Sequence, residues 1–164
     1  MKRSMIVVAM CMLVLIGCAG TTSTDIRKAT ASSSGEKPID IVVYRSPTCA
    51  CCSKWMDHLQ ENNFNVKEIR SNNEVQELKD KYGITAEISS CHTAIVDGYA
   101  IEGHVPADDI KALLKTKPKV TGISVPGMPI GTPGMEMGSD KETFDVLSFE
   151  RGKPEQVFKS YKGN

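Results

Sequence analysis

Apolar positions change their period along residues 39–117, and this change predicts a mixed α/β fold. Segments with the two-residue alternation of strands are separated by segments with the wider spacing of helices. The predicted strands cover residues 39–45, 64–69, 92–96 and 99–105, and the predicted helices cover residues 51–63, 74–82 and 107–115. The order is therefore β-α-β-α-β-β-α, in which the first β-α-β unit implies two parallel strands. The dipeptide Asp97-Gly98 predicts a tight hairpin between the last two strands.

The pattern weakens after residue 117. Residues 118–138 are rich in proline and glycine and contain Met128, Met135 and Met137. Residues 143–150 regain a strand-like pattern, which predicts an extra strand that joins the sheet or covers one of its faces. We expect residues 39–150 to form one domain that ends with this extension, and residues 151–164 to form a C-terminal tail.

The N-terminal residues have a different pattern from the domain. Two basic residues precede an uncharged apolar run, residues 5–16, which is too short to span a bilayer and fits a signal peptide. The sequence Leu15-Ile16-Gly17-Cys18 resembles a bacterial lipobox, which predicts removal of residues 1–17 and lipid attachment to Cys18. Residues 18–38 are rich in threonine, serine and alanine and predict a flexible tether. The expected location is the periplasm, with the lipid anchor in the outer membrane.

Charge and cysteine content narrow the function classes. The chain has 20 basic and 20 acidic side chains, and loss of Lys2 and Arg3 with the signal peptide leaves an acidic excess of two. The chain therefore has no excess of basic residues that would favour nucleic-acid binding. Cys11 would also leave with the signal peptide. The thiols left for the exported domain are Cys49, Cys51, Cys52 and Cys91.

Three of these thiols lie in the sequence Thr48-Cys49-Ala50-Cys51-Cys52, between the first predicted strand and the first predicted helix. Cysteine is a nucleophile as the thiolate and is also a soft metal ligand. The spacing of Cys49 and Cys52 fits a thiol–disulfide pair. Such a pair does not need Cys51, which favours soft-metal binding. The helix dipole would stabilise thiolates for either chemistry, so both stay open on this motif alone.

Strand polarity brings further candidate ligands to the same edge of the sheet. The beginning of an antiparallel third strand lies beside the end of the first strand, and Cys91 and His92 are at that beginning. The fourth strand runs back, and His104 lies near its end. His92 is a weaker candidate than His104, because strand alternation favours an orientation away from Cys91. His58 lies six residues after Cys52, and we expect it to be solvated or packed away from the motif.

Thioether sulphur discriminates between the soft metals. Thiolates favour Cu(I), zinc and iron–sulphur clusters, and a thioether shifts this preference towards Cu(I). Met128 lies in the semi-rigid sequence Val125-Pro126-Gly127-Met128-Pro129, which can hold it over the thiols. Met135 and Met137 fit a ligand and a gap-filling core residue equally well. The predicted copper ligands are Cys49, Cys51, Cys52, Cys91, His104 and Met128.

These motifs resemble those of known groups. The order of elements and the place of the cysteine motif are similar to a thioredoxin-like fold, a βαβαββα core over about residues 39–117, although no proline precedes the third strand. Residues 40–150 resemble the CopG-like periplasmic copper-resistance proteins. The shared motifs are residues 46–52, 55–59, 90–94, 98–106, 125–129 and 132–136. The resemblance implies a thioredoxin-like fold, copper bound near the C-x-C-C motif, and a role in copper tolerance outside the cytoplasm.

Three functional hypotheses follow. The leading one is an anchored protein that captures Cu(I) as a thiolate-bridged cluster, and the resemblance adds interconversion of Cu(I) and Cu(II), which leaves open whether the protein is an enzyme. The second is a thiol–disulfide oxidoreductase that uses Cys49 and Cys52. The third is a carrier that hands copper to periplasmic copper-handling proteins.

Overall fold

The structure, a computed structural model, describes residues 37–164. The predicted signal peptide, the lipidation site Cys18 and nearly all of the predicted tether lie outside the described residues. The helices are α1 (Ala50–Glu61), α2 (Asn72–Tyr82) and α3 (Ala107–Thr116), and a short 3₁₀ turn covers Ala86–Ile88. The strands are β1 (Ile39–Arg45), β2 (Phe64–Arg70), β3 (His92–Val96), β4 (Tyr99–Glu102), β5 (Gly122–Ser124), β6 (Phe144–Phe149) and β7 (Gln156–Tyr161). The mixed α/β prediction is confirmed.

The seven strands form one sheet in the order β2-β1-β3-β4-β5-β6-β7. Strand β1 is parallel to β2 and antiparallel to β3, and β3 is antiparallel to β4. Arg45, the last residue of β1, is opposite His92, the first residue of β3. Glu102, the last residue of β4, is opposite Thr93. The ends of β1 and β4 therefore meet the beginning of β3 at one edge, as strand polarity predicts. Membership of the thioredoxin-like fold stays a prediction.

The C-terminal part contains more sheet than the sequence predicts. The predicted single extra strand is present as β6, but β5 and β7 are additional, and β7 lies in the segment predicted as a tail. Strand β5 has three residues, too few for a visible alternation, and Gly122 lets it approach β4, since a Cβ there would lie 1.9 Å from the Ala100 carbonyl oxygen. Strand β7 is mostly exposed, so it has little apolar pattern. Its Tyr161 ring stacks on Phe144 of β6, with ring centroids 4.6 Å apart.

The boundaries of the elements follow local chemistry. Helix α2 begins two residues earlier than predicted, because Ser71 caps it by accepting a hydrogen bond from the Glu74 amide. Gly83 ends it in the left-handed conformation. Strand β4 ends at Glu102 rather than at residue 105. Gly103, with φ of +74°, turns the chain at that point.

Helix α1 connects the core to the cysteine motif. Its buried side chains are Cys52, Trp55, Met56 and Leu59, which lie on the helix face that the apolar spacing predicts. Burial of each large apolar side chain contributes roughly 1.5–3 kcal/mol, so this face fixes the helix against the sheet. The Trp55 indole also donates a hydrogen bond to the Val105 carbonyl, 2.8 Å away. Cys52 therefore lies on the face of the helix that packs against the core.

Among residues 37–164, no helix is long and apolar enough to cross a membrane.

Candidate metal centre

The C-x-C-C segment, Cys49–Cys52, lies where β1 gives way to α1. Cys49 is the residue before the helix, and its carbonyl accepts a hydrogen bond from the Arg45 guanidinium, 2.8 Å away. Cys49 and Cys52 are joined by a disulfide, and their Cα atoms are 5.6 Å apart. The free Cys51 sulphur lies 3.5 Å from the Cys49 sulphur and is partly exposed. The segment thus presents three sulphurs from one turn of chain.

The fourth sulphur comes from a second segment, Ser89–Cys91, which we call the strap. It leads into β3, and its Cys91 sulphur lies 3.5 Å from that of Cys52. The sulphurs of Cys49, Cys51, Cys52 and Cys91 all lie within 4.8 Å of one another, and we call these four the sulphur cluster. The structure therefore brings together the four cysteines that the sequence predicts as ligands.

Met128 lies at the exposed side of the sulphur cluster. Its thioether sulphur is 3.9 Å from the Cys51 sulphur, and 49% of the residue is exposed. The Gly127 amide before it donates a hydrogen bond to the Ser89 carbonyl, 3.0 Å away. The loop that carries Met128 is therefore attached to the strap. Met137, by comparison, is 63% exposed.

His104 reaches the cluster from the buried side. Its Nε2 lies 3.4 Å from the Cys91 sulphur, while its Nδ1 lies 2.8 Å from the Pro133 carbonyl oxygen. A carbonyl only accepts, so Nδ1 carries the proton and donates it, which leaves the Nε2 lone pair directed to the cluster. Burial lowers the pKa of His104 from its ordinary value, with the Pro133 bond opposing this shift. A neutral imidazole in this tautomer is the form that binds a metal.

His92 lies closer to the cluster than strand alternation predicts. Its Nδ1 is 3.3 Å from the Cys91 sulphur, because Cys91 lies outside the regular strand, and its ring centroid is 4.3 Å from that of Trp55. The residue is fully buried, and its Nε2 has no hydrogen-bond partner among the described residues. Burial holds the pKa of His92 well below its ordinary value, and the neighbouring His104 adds to this effect. Cys91, His92 and His104 form a second donor group within 4.8 Å.

The thiol of Cys91 belongs to both donor groups. Burial raises its pKa to about 12, and Cys51 nearby adds to the shift. The free thiol is therefore protonated at neutral pH, and a metal that binds it as thiolate displaces the proton. Metal–thiolate bonds of about 2.3 Å, as in zinc sites, let sulphurs up to about 4.6 Å apart share one ion. The Cys49–Cys51 and Cys52–Cys91 sulphur separations of 3.5 Å meet this condition, as does the 3.9 Å between the Cys51 and Met128 sulphurs.

His58 is outside both donor groups, in line with the expectation from its position. Its Nε2 accepts a hydrogen bond from the Ala107 amide, 3.1 Å away, at the first residue of α3. That amide has no partner within its own helix. Burial lowers the pKa of His58, whereas Glu136, Glu61 and Asp108 oppose the shift. His58 thus connects α1 to α3 and is a structural residue.

Sequence reasoning missed the polar residues that hold the strap. Lys79 of α2 donates to Glu102, 2.8 Å away, and this ion pair is nearly inaccessible to solvent. Lys79 also donates to the Ser89 hydroxyl and to the Ser90 carbonyl, each 2.6 Å away. Burial raises the pKa of Glu102, and Lys79 opposes this shift. A lysine in a polar helix looks like a surface residue, so the sequence contains no signal for this role.

The chain is similar to one protein family and to two solved structures. The family described as "Protein of unknown function, DUF411" matches residues 88–135, which contain the strap, His104 and Met128. No match was found among curated protein sequences. The solved structure of copper resistance protein CopG in form 1 is 38% identical, with a TM-score of 0.72, and covers 77% of this chain and 100% of its own. Form 2 is 37% identical, with a TM-score of 0.71, and covers 76% and 99%.

Proposed function

This chain belongs to the CopG family of copper resistance proteins, and we propose from that premise that it captures Cu(I) on the sulphur cluster. The observation that supports this most is the convergence of four cysteine sulphurs within 4.8 Å. The Met128 thioether and the His104 Nε2 point to the same group, from its exposed and its buried side. Thiolate, thioether and imidazole together are a donor set typical of Cu(I) rather than of zinc.

Copper capture requires the reduced form of the C-x-C-C segment. Two electrons and two protons from an external dithiol convert the Cys49–Cys52 disulfide to two thiols, and that dithiol becomes a disulfide. Four thiols are then available, and copper binding releases their protons. Because the sulphurs are so close, each thiolate can bridge two ions, which favours a cluster over a single mononuclear site.

The histidines extend this proposal to a second oxidation state. His92 and His104 place two neutral imidazoles beside Cys91, and imidazole also binds Cu(II). We include interconversion of bound Cu(I) and Cu(II), which exchanges one electron per copper with an external carrier. His92 joins the ligand set proposed from sequence, namely Cys49, Cys51, Cys52, Cys91, His104 and Met128.

The proposed setting is the periplasm, with the domain of residues 39–150 carried on a lipid anchor. Residues 1–17 would be a signal peptide, Cys18 the lipidated residue and residues 18–38 the tether, and copper-handling proteins would be the partners. Mass analysis of the mature N-terminus tests the anchor. The proposal requires a diacyl or triacyl cysteine as the first residue, and an unmodified Cys18 contradicts it.

Metal analysis of the reduced protein tests the copper proposal. We expect at least one copper per chain, together with the ultraviolet absorption of thiolate–Cu(I) charge transfer, after loading under anaerobic conditions. A tenfold excess of zinc should not displace the copper. Cys91→Ser should bind copper more weakly, whereas Met137→Leu, which changes an exposed thioether, should bind as the wild type does. Less than one copper per chain, with all four thiols reduced, contradicts the proposal.

One observation favours a second candidate function. The Cys49–Cys52 disulfide joins two thiols of a C-x-x-C spacing at the start of a helix, which is typical of thiol–disulfide oxidoreductases. In this function the disulfide accepts two electrons from a substrate dithiol, which leaves as a disulfide. Glutathione exchange and insulin reduction by metal-free protein test it. Turnover that is lost in Cys49→Ser supports this second function, and no turnover by the fully reduced domain argues against it.

A further inference from the structure

We propose that the buried Lys79–Glu102 ion pair positions both Cys91 and Met128, so that one pair outside the ligand set controls two sides of the copper site. This inference rests on the proposed function of the sulphur cluster. Lys79 and Glu102 are positioning residues, because they act on the cluster through the strap and the Met128 loop.

The first step is the contact between Lys79 and the strap. Its ammonium donates to the Ser89 hydroxyl, the Ser90 carbonyl and the Glu102 carboxylate, at 2.6, 2.6 and 2.8 Å. Three acceptors use all three protons of the ammonium. Lys79 is also the one buried side chain of α2, a helix that the structure describes in full. Helix α2 therefore contacts the interior through the Lys79 ammonium, which binds Ser89 and Ser90, the two residues before Cys91.

The second step is the contact between Glu102 and the other side of the strap. One carboxylate oxygen accepts from the Ser90 amide and the other from the Thr93 hydroxyl, each at 2.6 Å. Ser90 is thus bound through its amide by the anion and through its carbonyl by the cation. With both polar groups of one peptide segment fixed, the direction of the next residue, Cys91, is fixed as well.

The third step extends the same restraint to Met128. The Gly127 amide donates to the Ser89 carbonyl at 3.0 Å, and the Ser90 hydroxyl donates to the Gly127 carbonyl. Gly103 leaves no spare room beneath the strap, since a Cβ there would lie 2.7 Å from the Ser90 Cβ. Lys79 and Glu102 therefore hold Ser90, and Ser90 in turn binds the loop that carries Met128.

The fourth step concerns the energetic cost of the pair. Burial of two charges costs several kcal/mol per ion, and apolar residues of similar size often stabilise a fold equally well. Glu102 is fully buried, and the Lys79 side chain is 10% exposed. Stability alone therefore does not account for the pair. The strap, Ser89-Ser90-Cys91, contains no residue with a fixed φ, so its shape depends on these external hydrogen bonds.

The test uses a double variant that keeps the fold and removes the restraint. Lys79→Met with Glu102→Met replaces the pair by apolar side chains of similar size and leaves no unpaired buried charge. The Ser90 amide and the Thr93 hydroxyl lose their acceptor, so we expect a moderate fall in the thermal midpoint of a protein that still folds. In metal-free protein with the Cys49–Cys52 disulfide intact, alkylation of Cys91 by iodoacetamide should become about tenfold faster, as loss of one or two hydrogen bonds would give.

The second readout is copper itself. In the reduced double variant, Cu(I) affinity should fall about 10–100-fold, the range typical of residues that orient metal ligands. The thiolate–Cu(I) charge-transfer spectrum should approach that of Cys91→Ser. The single variant Lys79→Arg keeps the charge and the donors, so its Cu(I) affinity should be higher than that of the double variant. Asp109→Asn is the matched control, because Asp109 is a buried carboxylate that pairs with Lys159 and Tyr161 of β7.

The control separates positioning from general destabilisation. Asp109→Asn should lower the thermal midpoint and leave both Cys91 alkylation and the copper spectrum unchanged. If the double variant does not fold, Glu102→Gln, which keeps the shape of the side chain, gives the same two readouts. Wild-type alkylation and copper affinity in a folded pair variant overturn the inference and leave the proposed function intact. Absence of copper from the wild type overturns the proposed function, while the alkylation rate still decides this inference.

Discussion

The two segments that supply the sulphur cluster are held in different ways. The C-x-C-C segment is fixed locally: Cys52 lies on the buried face of α1, and Arg45, four residues earlier, donates to the Cys49 carbonyl. The strap is fixed by residues distant in sequence, since Lys79 belongs to α2 and Glu102 to β4. Both segments use a buried cation that donates to a backbone carbonyl of the segment. The carboxylate that pairs with Arg45, Glu68, is 26% exposed, whereas the carboxylate that pairs with Lys79, Glu102, is fully buried.

Because of this difference, the C-x-C-C segment can form before the complete copper site does. A folded α1 on the sheet is sufficient to present three thiols at the C-x-C-C segment. The fourth thiol, both histidines and Met128 reach that point only when α2, the β3–β4 hairpin and the loop after β5 have all packed. We therefore expect variants of the strap to affect copper more than variants of Cys51, although Cys51 belongs to the recognisable motif.

Loss of the strap thiol should have the largest effect. Cys91 belongs to both donor groups, whereas Cys51 belongs to one. Cys91→Ser should lower Cu(I) affinity by more than the roughly 100-fold typical of changes behind the ligands, and Cys51→Ser by less. Competition with a Cu(I)-specific chelator measures both. A larger loss in Cys51→Ser than in Cys91→Ser would invert the comparison.

A steric change beneath the strap should have the next largest effect. In Gly103→Ala the new Cβ would lie 2.5 Å from the Val125 carbonyl oxygen, at a φ of +74° that alanine disfavours. We expect a loss of about 1–3 kcal/mol in the free energy of unfolding, together with weaker copper binding. Gly152→Ala is the control, because Gly152 has φ of +76° and no atom within 4 Å of the new Cβ. Urea unfolding measures both, and equal losses would mean that the strap tolerates displacement.

A pH change should test the support of the first segment. The folded pKa of His58 is below the unfolded value of 6.5, so its contribution to stability is complete above pH 6.5. As the pH falls below 6.5 and through the folded pKa, the unfolded state binds more protons and up to about 1 kcal/mol is lost, the value of one hydrogen bond. His58→Gln keeps an acceptor for the Ala107 amide and does not titrate. Unfolding of metal-free protein between pH 7 and 5 should show a smaller loss in this variant, and identical slopes would refute the role of His58.

The smallest effect is expected at the exposed side of the cluster. Met128→Leu removes a neutral thioether 3.9 Å from the Cys51 sulphur and keeps the volume of the side chain. Cu(I) should transfer to a soluble chelator up to about fivefold faster, because a thioether is a weaker ligand than a thiolate. Met137→Leu changes a methionine that is 63% exposed and should leave the rate unchanged. Equal rates in the two variants would remove Met128 from the proposed site.

Much of the site could be predicted from sequence because it depends on local patterns and strand polarity. The period of the apolar residues located β1 and α1, and the antiparallel return of β3 and β4 brought Cys91 and His104 to the C-x-C-C segment. The approach of His92 to Cys91 was not predicted, since it depends on where the regular strand begins. Strand β5 was missed because three residues show no periodicity, and its close approach to β4 requires only that Gly122 lack a side chain.

The buried ion pair lay outside the reach of sequence patterns for a different reason. Lys79 lies in a mostly polar helix whose apolar side chains, Val75, Leu78 and Tyr82, are only partly buried. Nothing in the sequence around it distinguishes it from a solvated lysine. Lys79 is buried because the strap, which is distant in sequence, packs over it. The charge pattern of α2 would become informative only with knowledge of which helix face meets the Ser89–Ser90 peptide.

Copper content and valence of the fully reduced wild-type protein test the central claim most directly. Protein reduced and loaded with Cu(I) under anaerobic conditions is analysed for copper per chain and for oxidation state by X-ray absorption at the copper edge. The predicted result is at least one copper per chain, present as Cu(I) in a sulphur-dominated environment. Less than one copper per chain with four titratable thiols, or copper bound through nitrogen and oxygen alone, would contradict the proposed capture of Cu(I) by the sulphur cluster.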